Sequence, residues 1–124
     1  VNVPWNIEQG SQAGFSPPGD AEMFQVWKRL LMPIACEFQP DLVVVNAGFD
    51  AAKGDPLAPC LVSPACFHAL TIDLLSLAGG RVVLALEGGY NIEMLCECAS
   101  ACVHALLGEP SPSDSGGCAD LQEF

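Results

Sequence analysis

Val43-Val44-Val45-Asn46-Ala47-Gly48-Phe49-Asp50, continuing through Ala51-Ala52-Lys53-Gly54-Asp55-Pro56, decides the fold. The stretch begins as an apolar, β-branched strand, which Pro40 marks off from the helical pattern before it. It then opens into a glycine-bearing loop with a carboxylate at the strand's end. In open parallel α/β sheets, ligands and reacting groups gather outside the carboxyl ends of the strands. Asp50 stands at such a position. A second apolar run, Arg81–Leu86, ends in Glu87-Gly88-Gly89-Tyr90 and brings a phenol and flexible backbone to the same rim. Two strand ends carrying Asp and Tyr point to a catalytic cleft.

The remaining sequence fits around these two strands. Val1–Val3 reads as the tail of another strand and Pro4–Gly19 as a loop. Asp20 is placed to cap a helix reaching about Phe38, with Phe24, Trp27, Leu31 and Ile34 as its apolar stripe and a kink at Pro33. Leu42–Val45 is a continuous apolar strand of the buried parallel type. Asn46–Val62 is a long loop. Ser63-Pro64 combines an N-cap with proline at the first helical position, and Gly79-Gly80 closes that helix. Asn91 caps a last helix, Ile92–Leu107, ended by Gly108. The order β-α-β-α-β-α gives an α/β fold, a parallel sheet with helices on both faces through right-handed crossovers. Residues 1–109 form the domain portion and residues 110–124, rich in Pro, Ser, Asp and Gly, a disordered tail.

The 124 residues carry a net charge of −11, with four Lys and Arg against fifteen Asp and Glu. No basic cluster is present to neutralise phosphates, so direct nucleic-acid binding is not expected. The acidic balance suits a cationic substrate or partner. The chain is 51% hydrophobic, yet no run of about 18 apolar residues exists for a membrane span. The seven cysteines are odd in number and form no CxxC pair, which favours a reduced compartment with cysteines acting as small hydrophobes. The start at Val1 and the small number of strands read as the C-terminal part of a longer polypeptide.

The chemistry readable from the residues is incomplete. Asp50 is a hard oxygen donor suited to Zn²⁺, Mg²⁺ or Mn²⁺, or a loop carboxylate accepting backbone amides. His68 and His104 read as helix-face or core histidines, too far from the strand ends to complete a metal site. Asp55, between Gly54 and Pro56, reads as a turn former. Tyr90, the single tyrosine, could donate to a developing oxyanion or lie amphipathically at a core edge. Glu87-Gly88-Gly89 lacks the lysine of a phosphate loop. Ser63 is accounted for by its cap.

Taken together, Val1-Asn2-Val3-Pro4-Trp5-Asn6, Pro40-Asp41-Leu42-Val43-Val44-Val45, Ala47-Gly48-Phe49-Asp50-Ala51, Gly54-Asp55-Pro56, Leu77-Ala78-Gly79-Gly80 and Leu86-Glu87-Gly88-Gly89-Tyr90-Asn91 resemble the zinc-dependent histone deacetylases. The resemblance covers Val1 to about Pro110 and is closest to class II members. It implies the C-terminal portion of the arginase–deacetylase fold. It further implies that Asp50 is one of three Zn²⁺ ligands and that Tyr90 polarises the acetyl carbonyl and holds the oxyanion. Gly88 and Gly89 then line the acyl-lysine tunnel, with Leu57 at its mouth. Polyamine-specific relatives carry Glu at that last position, so Leu57 favours acetyl-lysine. Pro56 and Glu93 stand where class I members have inositol-phosphate-binding arginines.

The implied reaction is hydrolysis of N6-acetyl-lysine in histone tails or other proteins. The implied setting is nucleus and cytoplasm, in chromatin regulation and transcription repression with corepressor proteins. The family's Asp-x-His ligands, its His-His base pair and its potassium sites do not occur here. This chain is therefore expected to be inactive by itself. The alternatives are a truncated, non-catalytic interaction isoform and an acetylpolyamine amidohydrolase.

Overall fold

The computed structural model describes residues 1–5 and 16–112, and every structural statement below concerns those residues. The expected strand ends are largely recovered. Strand β1 is Val43–Ala47 and strand β2 is Val82–Leu86. They pair in parallel, Val43 opposite Val82 through Ala47 opposite Leu86. Parallel pairing needs a crossover, and helix α3, Pro64–Leu75, lies on it. Helix α4, Ile92–Leu107, follows β2. The chain is thus α/β with a parallel sheet packed by helices.

Strand β1 alternates between half-buried and exposed positions, and β2 does so until Leu86, which is exposed like Ala85 before it, unlike the continuously buried strands expected. Ala47 and Leu84 turn toward a core of Phe49, Ala52, Cys98 and Cys102, which Phe67, Met94, Leu95 and Ala99 complete. Val44 and Val83 turn the other way and stay exposed. The physical reason is the two-residue period of a strand: only positions facing α3 and α4 find packing partners among the described residues. Val1–Val3 forms no strand there either. Most of the expected Pro4–Gly19 loop falls outside the described residues.

The N-terminal helical region differs from the expected kinked helix. Helix α1, Asp20–Val26, passes through a π-helical turn, Trp27–Leu31, into helix α2, Met32–Phe38. The wide turn lies just before Pro33, which offers no N–H for a regular helical bond. It also rotates the later residues, leaving Ile34 off the packed stripe and exposed. Met23, Phe24 and Trp27 do pack, against Val62, Cys66 and Leu70. The N-cap is Gly19, and Asp20 does not cap its own helix. Its carboxylate instead accepts from Ser63 N–H at 2.7 Å and from Ser63 Oγ at 2.6 Å. Ser63 Oγ in turn accepts from Cys66 N–H at 3.1 Å, the cap expected for α3.

Helix α3 stops at Leu75 and gives way to a short turn. There Ala78, Gly79 and Gly80 all have positive φ, and Gly80 N–H donates to Leu77 O at 2.8 Å. The α4 termini follow the sequence reading. Asn91 Oδ1 accepts from Met94 N–H at 3.3 Å, and Gly108 adopts φ 73°. Ser111, within the expected tail, is buried, and residues 113–124 lie outside the described part. No described helix is long and apolar enough to cross a membrane.

Candidate functional site

The site is built where the two strands end. Past β1 the backbone turns sharply at Gly48, whose N–H donates to Asn46 O at 3.1 Å. Past β2, Glu87 N–H donates to Ala47 O at 3.1 Å. Phe49 N–H then donates back to Gly88 O at 2.8 Å, which sews the two strand-end loops together beyond the sheet. The Phe49 ring points inward and meets Phe67 edge-on, with centroids 5.1 Å apart. Buried at one end and hydrogen-bonded at the other, Phe49 fixes the backbone on which Asp50 sits.

The Asp50 carboxylate occupies space that two glycines leave open. A Cβ at Gly48 would lie 2.9 Å from Asp50 Oδ1, and one at Gly88 would lie 3.2 Å from it. A side chain at either position would push on the carboxylate. The structure therefore brings Asp50 and Gly88, both named from the sequence, into direct contact across the two loops. Gly89 has φ 125°, with Leu95 Cδ1 and Phe49 Cβ about 3 Å from where a Cβ would stand. Its lack of a side chain is thus required both by conformation and by packing. Tyr90 follows with its side chain 56% exposed, and Leu57 is 69% exposed.

Asp55 forms the turn expected of it and also reaches the other loop. It is buried, at 9% exposure. Its Oδ1 accepts from Leu57 N–H at 2.8 Å, the local turn expected from sequence. Its Oδ2 accepts from Tyr90 N–H at 2.7 Å, 35 residues away. Beside it, Asn91 Nδ2 donates to Gly54 O at 3.1 Å. Burial pushes the Asp55 carboxyl up, but the backbone amides of Tyr90, Leu57, Ala58 and Asn91 outweigh it and hold the pKa below the ordinary value. Only the Gly54-Asp55-Pro56 motif flagged this position, and a turn signal carries no information about a partner so distant.

Cys60 was also missed as a neighbour of the site. It is buried, and burial first and the negative charge of Asp50 second push its thiol pKa up. The two histidines lie elsewhere, as expected. His68 Nε2 is 2.8 Å from Glu109 O, and His104 Nδ1 is 2.7 Å from Glu109 Oε2. Both are engaged at the end of α4, away from the strand-end rim.

The donor set limits what these residues do alone. No group of three or more His, Cys, Asp or Glu among the described residues is arranged to hold a metal ion. Asp50 offers one carboxylate where a catalytic zinc needs about three protein ligands. The described residues alone thus do not make a metal centre. What they do provide is a carboxylate and a phenol on one rim, with the backbone of both fixed by cross-loop hydrogen bonds.

Known proteins share the sequence and the fold of this chain. A family model described as the histone deacetylase domain matches residues 1–106. Human "Histone deacetylase 7" is 50% identical over 111 residues, which cover 87% of this chain and 11% of that protein. Human "Polyamine deacetylase HDAC10" is 47% identical over 122 residues, 98% of this chain and 17% of that protein. "Histone deacetylase 18" of Arabidopsis thaliana is 47% identical over 107 residues, 86% of this chain and 14% of that one. The solved structure of the histone deacetylase Clr3 superposes with a TM-score of 0.80 at 40% identity, over 90% of this chain and 17% of that one. The HDA15 HD domain gives 0.78 at 41% identity, over 88% of this chain and 29% of that one. The chain thus spans less than a fifth of the curated relatives it matches.

Proposed function

This chain belongs to the histone deacetylase family, and from that premise we propose that it carries the Asp50–Tyr90 side of a class II-like, zinc-dependent lysine deacetylase site. The rim geometry is the observation that carries the reading. Asp50 is packed against Gly88, and the backbone of Tyr90 is tied to Asp55 in the other loop. Hydrolysis of N6-acetyl-lysine calls for further zinc ligands and a general base besides Asp50 and Tyr90.

Within that site each residue has a distinct task. Asp50 would contribute one carboxylate to a Zn²⁺ ion, and the ion would supply Lewis-acid activation. Tyr90 presents its hydroxyl to the acetyl carbonyl and donates a hydrogen bond to the oxyanion as the tetrahedral centre forms. Gly88 and Gly89 keep the tunnel wall free of side chains, and Leu57 lines its mouth with an apolar surface. The net charge of −11 favours approach of lysine-rich protein segments such as histone tails. Corepressor partners and action in nucleus and cytoplasm complete the proposal.

The test is Tyr90→Phe in the complete deacetylase domain that bears this sequence. Loss of one oxyanion donor lowers kcat on an acetyl-lysine peptide by about 10²–10³-fold, with KM nearly unchanged. A Phe variant within twofold of the parent kcat overturns the role of Tyr90.

A second reading has one specific observation behind it, the 47% identity to a polyamine deacetylase over 98% of the chain. Leu57 counts against it. Side-by-side kcat/KM values for an acetyl-lysine peptide and an N-acetylpolyamine separate the two. The Leu57→Glu variant is expected to move preference toward the polyamine.

A further inference from the structure

Tyr90 and Leu57 share an unusual circumstance. Both residues are more than half exposed among the described residues, whose packing holds neither one firmly. Their positions follow from their backbones, and both backbones are held by one carboxylate. Oδ1 of Asp55 takes the Leu57 N–H at 2.8 Å, and Oδ2 takes the Tyr90 N–H at 2.7 Å. The adjacent Asn91–Gly54 bond doubles the connection, and Asn91 also caps α4 through Met94. Displacing Asp55 therefore loosens the tunnel mouth and the phenol together, while the sheet and the Phe49–Gly88 bond remain.

We propose that Asp55 is a positioning residue for catalysis: its two carboxylate oxygens set Leu57 and Tyr90 in fixed relation, so that the phenol is in place before the acyl-lysine enters. This rests on the roles proposed above for Tyr90 and Leu57. A charged acceptor is suited to the task because a carboxylate offers lone pairs on both oxygens and no competing donor. Asn at this position keeps one acceptor and turns an NH₂ group toward the other amide. Glu keeps the charge but carries the oxygens one methylene further out. Misplacement of a reacting group by about 1 Å costs up to about 10²-fold in rate. The effect should fall on kcat, because the phenol acts on the oxyanion more than on the bound ground state.

The experiment is a double-mutant cycle in the complete deacetylase domain with an acetyl-lysine peptide. The four proteins are the parent, Asp55→Asn, Tyr90→Phe and the double variant. Asp55→Asn is expected to lower kcat about 10- to 100-fold with KM within about threefold. It should then have little further effect once Tyr90 is Phe, because the two changes remove the same interaction. Asp55→Glu should fall between Asn and the parent, and it replaces Asn in the cycle if the Asn variant does not fold. Multiplicative losses, a loss confined to KM, or kcat within twofold of the parent each overturn the proposal while leaving Tyr90's own role intact. An inert Tyr90→Phe overturns the proposed role of Tyr90, and this inference with it. One measurement needs no variant: the Leu57 and Tyr90 amides should be protected from hydrogen exchange in the parent protein, and exchange at unprotected rates overturns the clasp.

Discussion

The strand-end rim and the α3–α4 layer beneath it are held by different physics. The rim is held by a few directional bonds: Phe49 to Gly88, Glu87 to Ala47, and Asp55 to Leu57 and Tyr90. Two of its residues, Tyr90 and Leu57, are more than half exposed among the described residues. The layer is held by undirected burial. Cys66, Cys98 and Ala105 are fully buried, with Ala101 and Cys102 nearly so. A region fixed by few bonds is precise but fails at single residues. A region fixed by many small contacts spreads each loss among its neighbours. A site that must aim a phenol while leaving a channel open is better served by the first arrangement.

Phe49 is the sharpest place to break this contrast, because it belongs to both regions. Its N–H binds the rim and its ring is buried against Phe67. Phe49→Ala should cost about 3–5 kcal/mol in a denaturant titration, and should also raise hydrogen exchange at Gly88–Tyr90. A loss confined to global stability, with the rim amides still protected, would show the two regions to be independent. Gly89→Ala comes next. It places a Cβ at positive φ against Leu95 and Phe49, so a cost of about 1–3 kcal/mol is expected from backbone strain alone. A neutral result would mean that the rim relaxes freely.

The pH response should divide the regions by sign. In the rim, the folded-state pKa of Asp55 is held down. Its contribution is therefore present above the unfolded value of about 3.9 and lost as pH falls through the lower folded value. In the layer, burial first and neighbouring charges next push the Cys66 thiol up, while burial and then the Cys102 thiol push Cys98 up to about 12. A raised pKa works the other way. That contribution is complete below the unfolded thiol value of about 8.5 and lost as pH rises toward the folded values, at about 1.4 kcal/mol per thiol per pH unit. Melting temperatures across pH 3–11 should show both flanks. The alkaline one should shrink when Cys66 and Cys98 are both replaced by Ala, with Cys60 and Cys102 supplying the remainder, and the acid one should shrink on Asp55→Asn.

The legible parts of the molecule were those with short-range causes. Ser63 and Asn91 cap their helices as read, because a cap needs only a hydroxyl or amide three residues from its target. The strand at Val43 was readable from three consecutive valines followed by a glycine turn. Asp50, Gly88, Gly89 and Tyr90 were identifiable because motifs place them at strand ends, where α/β sheets assemble their sites. Two misreadings had long-range causes. Asp20 looked like a helix cap but binds Ser63, 43 residues away. Asp55 looked like a turn residue but also holds Tyr90. One misreading was local: in place of the kink expected at Pro33 there is a π-turn, Trp27–Leu31, just before it, and Ile34 is off the packed stripe.

By itself, then, the sequence determined the alternation of strands and helices, the family, and which residues stand on the rim. Those follow from side-chain period, local capping and motif spacing, each acting within a few residues. Only the tertiary structure decided how the two strand-end loops are joined, which face of each strand is packed, and which of two aspartates in one loop is buried as an anchor. A carboxylate's pairing depends on which donors the folded chain brings within 3 Å, and that distance is set by contacts between segments far apart in sequence.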